Sequence, residues 1–162
     1  MKNKSSITVL LVAGILSVLF SCNTKKEESV AAAIDKEQIK KEIQAKEDAF
    51  AKVYNEGSLT DIGYYADDAV SFFPNRPPLI GKEAIRAYYI SSIASNTNKI
   101  SFTSKDILIS NDGNLVVETG YYKVVDSTNT VFNSGSFISI FEKRDGKYVC
   151  VKDMSTSDIP VE

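Results

Sequence analysis

Histidine is missing from the 162-residue chain. That absence removes Ser-His-Asp and Cys-His nucleophile systems and any His-based metal site. Acid–base work is left to Asp, Glu, Tyr and Lys, and neither a metal nor a cofactor is expected. Cysteine is scarce, with only Cys22 and Cys150. One disulfide between them is conceivable in an exported protein, but a flexible tether at Cys22 disfavours it and leaves Cys150 as a small core or interface residue. A basic surplus is also lacking. Removing Lys2 and Lys4 with the first 21 residues leaves 17 basic against 21 acidic groups, a net charge of −4. Phosphate neutralisation needs a basic surface, so nucleic acid is not an expected partner. The apolar run 7–20 has 14 residues, too few to span a bilayer comfortably as a permanent helix.

What is present is a chain that is 43% hydrophobic and 25% charged, the balance of one packed domain. Its N-terminus reads as a signal peptide, with basic Lys2 and Lys4, then the apolar run, then a small residue before Cys22. Leu19-Phe20-Ser21-Cys22 resembles the bacterial lipobox, in which the cysteine is lipidated and becomes the new N-terminus. A plain cleaved signal and a membrane anchor are the alternatives. The reading divides the chain into a lipoprotein signal (1–21), a disordered tether (22–33) and a folded domain (34–162). It places the protein in the cell envelope, held to the membrane through Cys22. Lys26-Glu27-Glu28 is similar to signals that send lipoproteins to the outer surface in some Gram-negative lineages. A short charge cluster is also an ordinary solvated linker.

Within the domain, 34–56 carries Ile39, Ile43, Phe50, Val53 and Tyr54 along one helical stripe. Asp35 with Gln38 forms a capping pattern, and Gly57 is the stop. Ser58-Leu59-Thr60-Asp61 predicts a second, short helix carrying Leu59, Ile62 and Tyr65 inward, after which Asp67-Asp68 turns the chain into a strand at 69–73. Pro74 ends that strand. Pro77-Pro78 keeps the chain extended, and a helix over 82–93 follows, with Ile85, Tyr88, Tyr89 and Ile93 at helical spacing. From residue 99 the period becomes extended: runs at 100–110, 115–125, 131–142 and 147–153, separated by turn signals, predict an antiparallel meander. Several runs are apolar on both parities, so one sheet face should meet the helices and the other a second copy, giving a homodimer.

Several pieces then match a known family in order and spacing. They are Asn55-Glu56-Gly57, Tyr65-Ala66-Asp67-Asp68-Ala69-Val70, Pro77-Pro78-Leu79-Ile80-Gly81-Lys82-Glu83-Ala84-Ile85, Glu118-Thr119-Gly120-Tyr121-Tyr122 and Asp145-Gly146-Lys147-Tyr148. Together they resemble the SnoaL-like branch of the nuclear transport factor 2-like superfamily, which includes ketosteroid isomerases and polyketide cyclases. The resemblance implies an α+β, cystatin-like cone: a long N-terminal helix packed in a curved antiparallel meander sheet. It does not imply isomerase chemistry, because the three polar positions of that mechanism align with Phe73, Phe50 and Ile138 here. What it leaves is an apolar cone mouth. Tyr54, Tyr65, Phe72, Phe73 and Tyr89 line a pocket for a small apolar molecule, or else fill the core. Val149, Val151 and Asp153 share a parity that takes Asp153 inward. Polyketide cyclases use an Asp as acid/base, which makes Asp153 the candidate catalytic group and Glu118 a weaker second. The alternative for Asp153 is to cap the Ser155-Thr156-Ser157 turn or to pair with Arg76 or Arg86. The expected function is a ligand-binding or dimeric assembly module, with a cyclase, isomerase or dehydratase as the rival.

Overall fold

Asp35 accepts a hydrogen bond from the Gln38 backbone N–H at 2.9 Å and starts helix α1, Lys36–Asn55. The helix ends in a Schellman motif. Gly57, at φ +70°, donates to the Tyr54 carbonyl, and Ser58 donates to that of Val53. The Asn55 side chain then behaves like a strand edge, accepting from the Ile100 N–H at 2.7 Å and donating to the Ile100 carbonyl at 2.8 Å. That pair of bonds fixes the end of α1 to the start of the meander. The computed structural model describes residues 34–58, 63–95 and 97–160. The signal peptide, Cys22, the tether and the expected short helix carrying Leu59 and Ile62 all lie outside the described residues.

The other elements are β1 (Tyr65–Phe72), β2 (Leu79–Ile80), α2 (Lys82–Ser95), β3 (Lys99–Ile109), β4 (Leu115–Val125), β5 (Val131–Arg144) and β6 (Lys147–Ser155). They form one six-stranded sheet in the order β2-β1-β6-β5-β4-β3. The meander β3–β6 is antiparallel throughout. Asp145 and Gly146 turn β5 into β6 with φ of 50° and 78°, the positive pair that a two-residue hairpin of matching twist requires.

The start of the first strand corrects the sequence reading. Tyr65 belongs to β1, not to a helix, and Asp67 and Asp68 lie within the strand. The reason is an irregular stretch between Tyr65 and Val70, across which five steps along β1 match two along β6. An acidic pair in mid-strand fits there because both residues face water and find cations: Asp67 pairs with Lys82 and Asp68 with Arg144. β1 runs parallel to β6 and pairs with the two-residue β2 on its other side.

Both helices pack against this sheet. Ile39, Ile43 and Phe50 of α1 join Val116, Phe141, Tyr148 and Cys150, while Ile85 of α2 joins Ala66, Ala69 and Val151. Cys150 is free and wholly buried, and burial pushes its thiol up.

Candidate functional site

Pairing register decides what the inner face presents. Glu118 of β4 is directly opposite Ser139 of β5, Ser139 is opposite Asp153 of β6, and Asp153 is level with Ser71 of β1. Directly opposed residues share a face, so a polar row crosses four strands in the middle of the sheet. Asp153 joins it for a reason different from strand parity. β6 bulges, with Phe141 opposite Cys150 but Ile140 opposite Lys152, so Cys150 and the extra residue Val151 are both buried. After the bulge the alternation restarts and Asp153 faces inward on the side of Tyr148 and Cys150.

Above the row lies a cavity of about 530 Å³. Its walls are ring-rich: Phe50 and Tyr54 from α1, Tyr88 and Tyr89 from α2, Phe102 and Phe137 from the sheet. Tyr65, Phe73, Ser71, Ser139 and Asp153 also line it, as does Glu47. The expected pocket residues Tyr54, Tyr65, Phe73 and Tyr89 are thus brought together. Phe72 is a correction: it is 39% exposed and does not line the cavity, because it is the neighbour of inward-facing Ser71 and alternation turns it away. Ile138 is another. Phe137 and Ser139 line the cavity, so Ile138 between them faces outward and is not the counterpart of an inward acid.

Asp153 Oδ2 accepts the Tyr65 hydroxyl at 2.6 Å, while Oδ1 is buried with no hydrogen-bond partner. Burial is the dominant influence and raises its pKa; nearby Ser71 and the bond from Tyr65 pull the other way. The carboxylate does not serve to cap the Ser155–Ser157 turn, and no arginine offsets its desolvation. Arg76 instead stacks on Tyr88, its guanidinium carbon 4.4 Å from the ring centre. Tyr65 and Tyr89 are themselves pushed well up, first by burial and then by the Asp153 charge.

Glu118 is 0% exposed and lies behind the cavity wall. It meets a carboxylate that the sequence reading overlooked, Glu47 of α1, which is 1% exposed. The Tyr64 hydroxyl donates to Glu47 Oε1 and the Ser104 hydroxyl to Glu118 Oε1, leaving Glu118 Oε2 without a hydroxyl or amide donor. Glu47 and Glu118 are within hydrogen-bonding reach of each other. Burial raises both, and the charge of Glu118 raises Glu47 further. A hydrogen bond between two carboxyls requires a proton on one of them, which the raised pKa of Glu47 favours. The signal for Glu47 was in the stripe itself: it lies four residues after Ile43 and three before Phe50, a core position of the helix occupied by an acid. Among the described residues, no three Cys, Asp or Glu side chains are placed to hold a metal ion.

The comparisons agree with the fold. Residues 47–151 match the model of the SnoaL-like domain. No match was found among curated proteins. Many solved structures share the fold. One is a cystatin-like domain of unknown function from Nostoc punctiforme, 13% identical, covering 75% of this chain and 78% of that one, TM-score 0.67. A protein from Catenulispora acidiphila, in complex with S-DNPA, is 20% identical over 75% of this chain and 95% of its own, TM-score 0.63. A ketosteroid isomerase-like protein from Erwinia carotovora atroseptica is 17% identical over 78% and 100%, TM-score 0.59.

Proposed function

The chain belongs to the SnoaL-like domain family, and from that premise we propose that its domain is a receptor for a small, largely apolar molecule, carried by a lipid-anchored protein of the cell envelope. One observation supports the binding reading above others: a ring-walled cavity of about 530 Å³ ends on a carboxylate whose Oδ1 is buried and unpartnered. Buried acceptors are ordinarily satisfied, and an open one at the floor of a cavity awaits a donor from a ligand. The likeness in fold to a protein in complex with S-DNPA is consistent with this use of the cone. The neutral probe N-phenyl-1-naphthylamine should bind saturably, one per chain, and Ser139→Phe, which fills the cavity, should abolish binding. Unsaturable binding, or binding untouched by that substitution, removes the reading.

A second reading is favoured by the Tyr65–Asp153 bond and the raised Asp153 pKa: an enzyme of the cyclase, isomerase or dehydratase kind with Asp153 as general acid/base. Asp153→Asn separates the burial account from a purely structural role. Because burial penalises the charge, the Asn variant should keep or gain stability at pH 8 in thermal melts, and any turnover should vanish. A clear loss of stability there would make the carboxylate structural.

The envelope reading rests on Leu19-Phe20-Ser21-Cys22. Several acyl chains on one cysteine bind a membrane firmly where a single chain is marginal. Cys22→Ala should accumulate precursor and lose labelling by a fatty-acid probe, and persistent labelling would refute the anchor.

The outer sheet face supports a homodimer. Leu108, Tyr121 and Phe72 are 61%, 55% and 39% exposed there, next to half-buried Val117 and Ile138. An apolar patch of that kind is unusual on a monomer. Sedimentation at micromolar concentration should give a dimer that Tyr121→Glu with Leu108→Glu converts to monomer; a wild-type monomer would sink the idea.

A further inference from the structure

We propose that the cavity takes a protonated amine: an alkyl- or arylammonium whose head rests on Asp153 and whose body lies among the ring walls. The proposal rests on the reading of the cavity as a small-molecule site and adds the charge of its occupant. First, among the described residues the ionisable groups lining the cavity are Glu47, Asp153 and tyrosines, and neither a lysine nor an arginine lines it. Its field is therefore negative, reinforced by Glu118 behind the wall, and carboxylate or phosphate ligands are repelled. Second, the vacant acceptor is Asp153 Oδ1, buried while Oδ2 is satisfied. An alcohol would donate to it but leave the desolvated charge unmatched, whereas an ammonium does both. Third, ring faces attract cations. Tyr88 already carries the Arg76 guanidinium at 4.4 Å on the rim, and Phe50, Tyr54, Tyr89 and Phe137 continue the same surface inward. A metal ion is a poorer fit, since no three suitable ligands converge among the described residues.

Among the described residues the titratable groups facing Asp153 are Tyr64 just before β1, Tyr65 of β1, Tyr89 of α2, Glu47 of α1 and Cys150 of β6, and none of these is a cation. Burial raises the Asp153 pKa in the empty site. An arriving ammonium favours the ionised carboxylate, so binding releases a proton to solvent and tightens as pH rises.

The test uses the full chain and three probes of one shape, benzylamine, benzyl alcohol and benzoate, followed by titration calorimetry and ligand-observed NMR up to 20 mM. Benzylamine should bind at least tenfold more tightly than benzyl alcohol at pH 7.5, and at least threefold more tightly there than at pH 5.5. Benzoate should not bind. Asp153→Asn should bring amine and alcohol to the same affinity. If the alcohol or benzoate matches the amine on the wild-type protein, the ammonium assignment falls while the cavity remains a binding site. If none of the three binds, the ammonium assignment falls again, and saturable binding of N-phenyl-1-naphthylamine tells whether the cavity reading falls with it.

Discussion

Replacing Glu118 by Gln is expected to make the protein more stable at pH 8 by about 1–3 kcal/mol and to leave it nearly unchanged at pH 5. Glu118 and Glu47 are buried and face each other with no cation among the described residues; burial raises both, and the charge of Glu118 raises Glu47 further, while the hydrogen bond between them holds Glu118 down. A carboxyl whose folded pKa is raised is equally protonated in folded and unfolded chains well below about pH 4.3, the ordinary Glu value. Above it the unfolded chain ionises freely while the folded one resists, so stability is lost as pH rises toward the folded pKa. Asp153 acts in the same direction. The opposing carboxyls, exposed Asp68 and Asp112 and half-buried Asp126, are lowered by Arg144 or by turn donors, and their contribution disappears only as the solution becomes strongly acidic. The wild-type protein should thus be most stable in mild acid. A glutamine at 118 keeps the acceptor for Ser104, and its amide donates to Glu47 where a shared proton was needed before. Urea unfolding at pH 5 and 8 measures the difference. A wild-type protein more stable at pH 8 than at pH 5, or a glutamine variant weaker at pH 8, would show that the pair is not strained by charge.

Gly135→Ala is expected to cost about 3 kcal/mol or more, the largest effect of any single methyl in the sheet. The cause is space and not conformation. An added Cβ would stand 2.0 Å from the Thr156 carbonyl oxygen and 2.8 Å from the Tyr122 ring. Neither can withdraw cheaply. The Thr156 N–H donates to Ser136, the Tyr122 hydroxyl donates to the Thr156 carbonyl at 2.8 Å, and Asp158 is bonded to Ser134 by backbone and side chain. These bonds hold the segment after β6 across the cavity mouth, where Ser157, Ile159 and Pro160 line the opening. The same substitution should therefore also weaken probe binding. Gly146→Ala is the contrasting case: it has φ +78° and open space around its Cβ, so it should lose only about 1–2 kcal/mol. Equal losses at the two sites, read from denaturant midpoints, would overturn the steric account.

The elements legible in the sequence are those set by neighbours along the chain. The Asp35 cap, the Gly57 stop, the 3.6-residue stripe of α1 and the turns between β3 and β6 depend on residues within a few positions of one another, and each forms where its local chemistry directs. The family pattern likewise foretold the cone, and four of the aromatic residues expected at its mouth line the cavity, among many that the pattern did not single out. What only the tertiary structure decided is non-local. β1 lies parallel to β6, 80 or more residues away, and its irregular register places Tyr65 against Asp153. The bulge at Val151 shows why counting by twos reached the right face for Asp153 by the wrong step: one extra residue inverts every side chain after it. Glu47 and Glu118 each look like ordinary helix and strand acids until packing sets them opposite each other. Their chemistry arises from burial and proximity, properties of the folded chain that no stretch of it possesses alone.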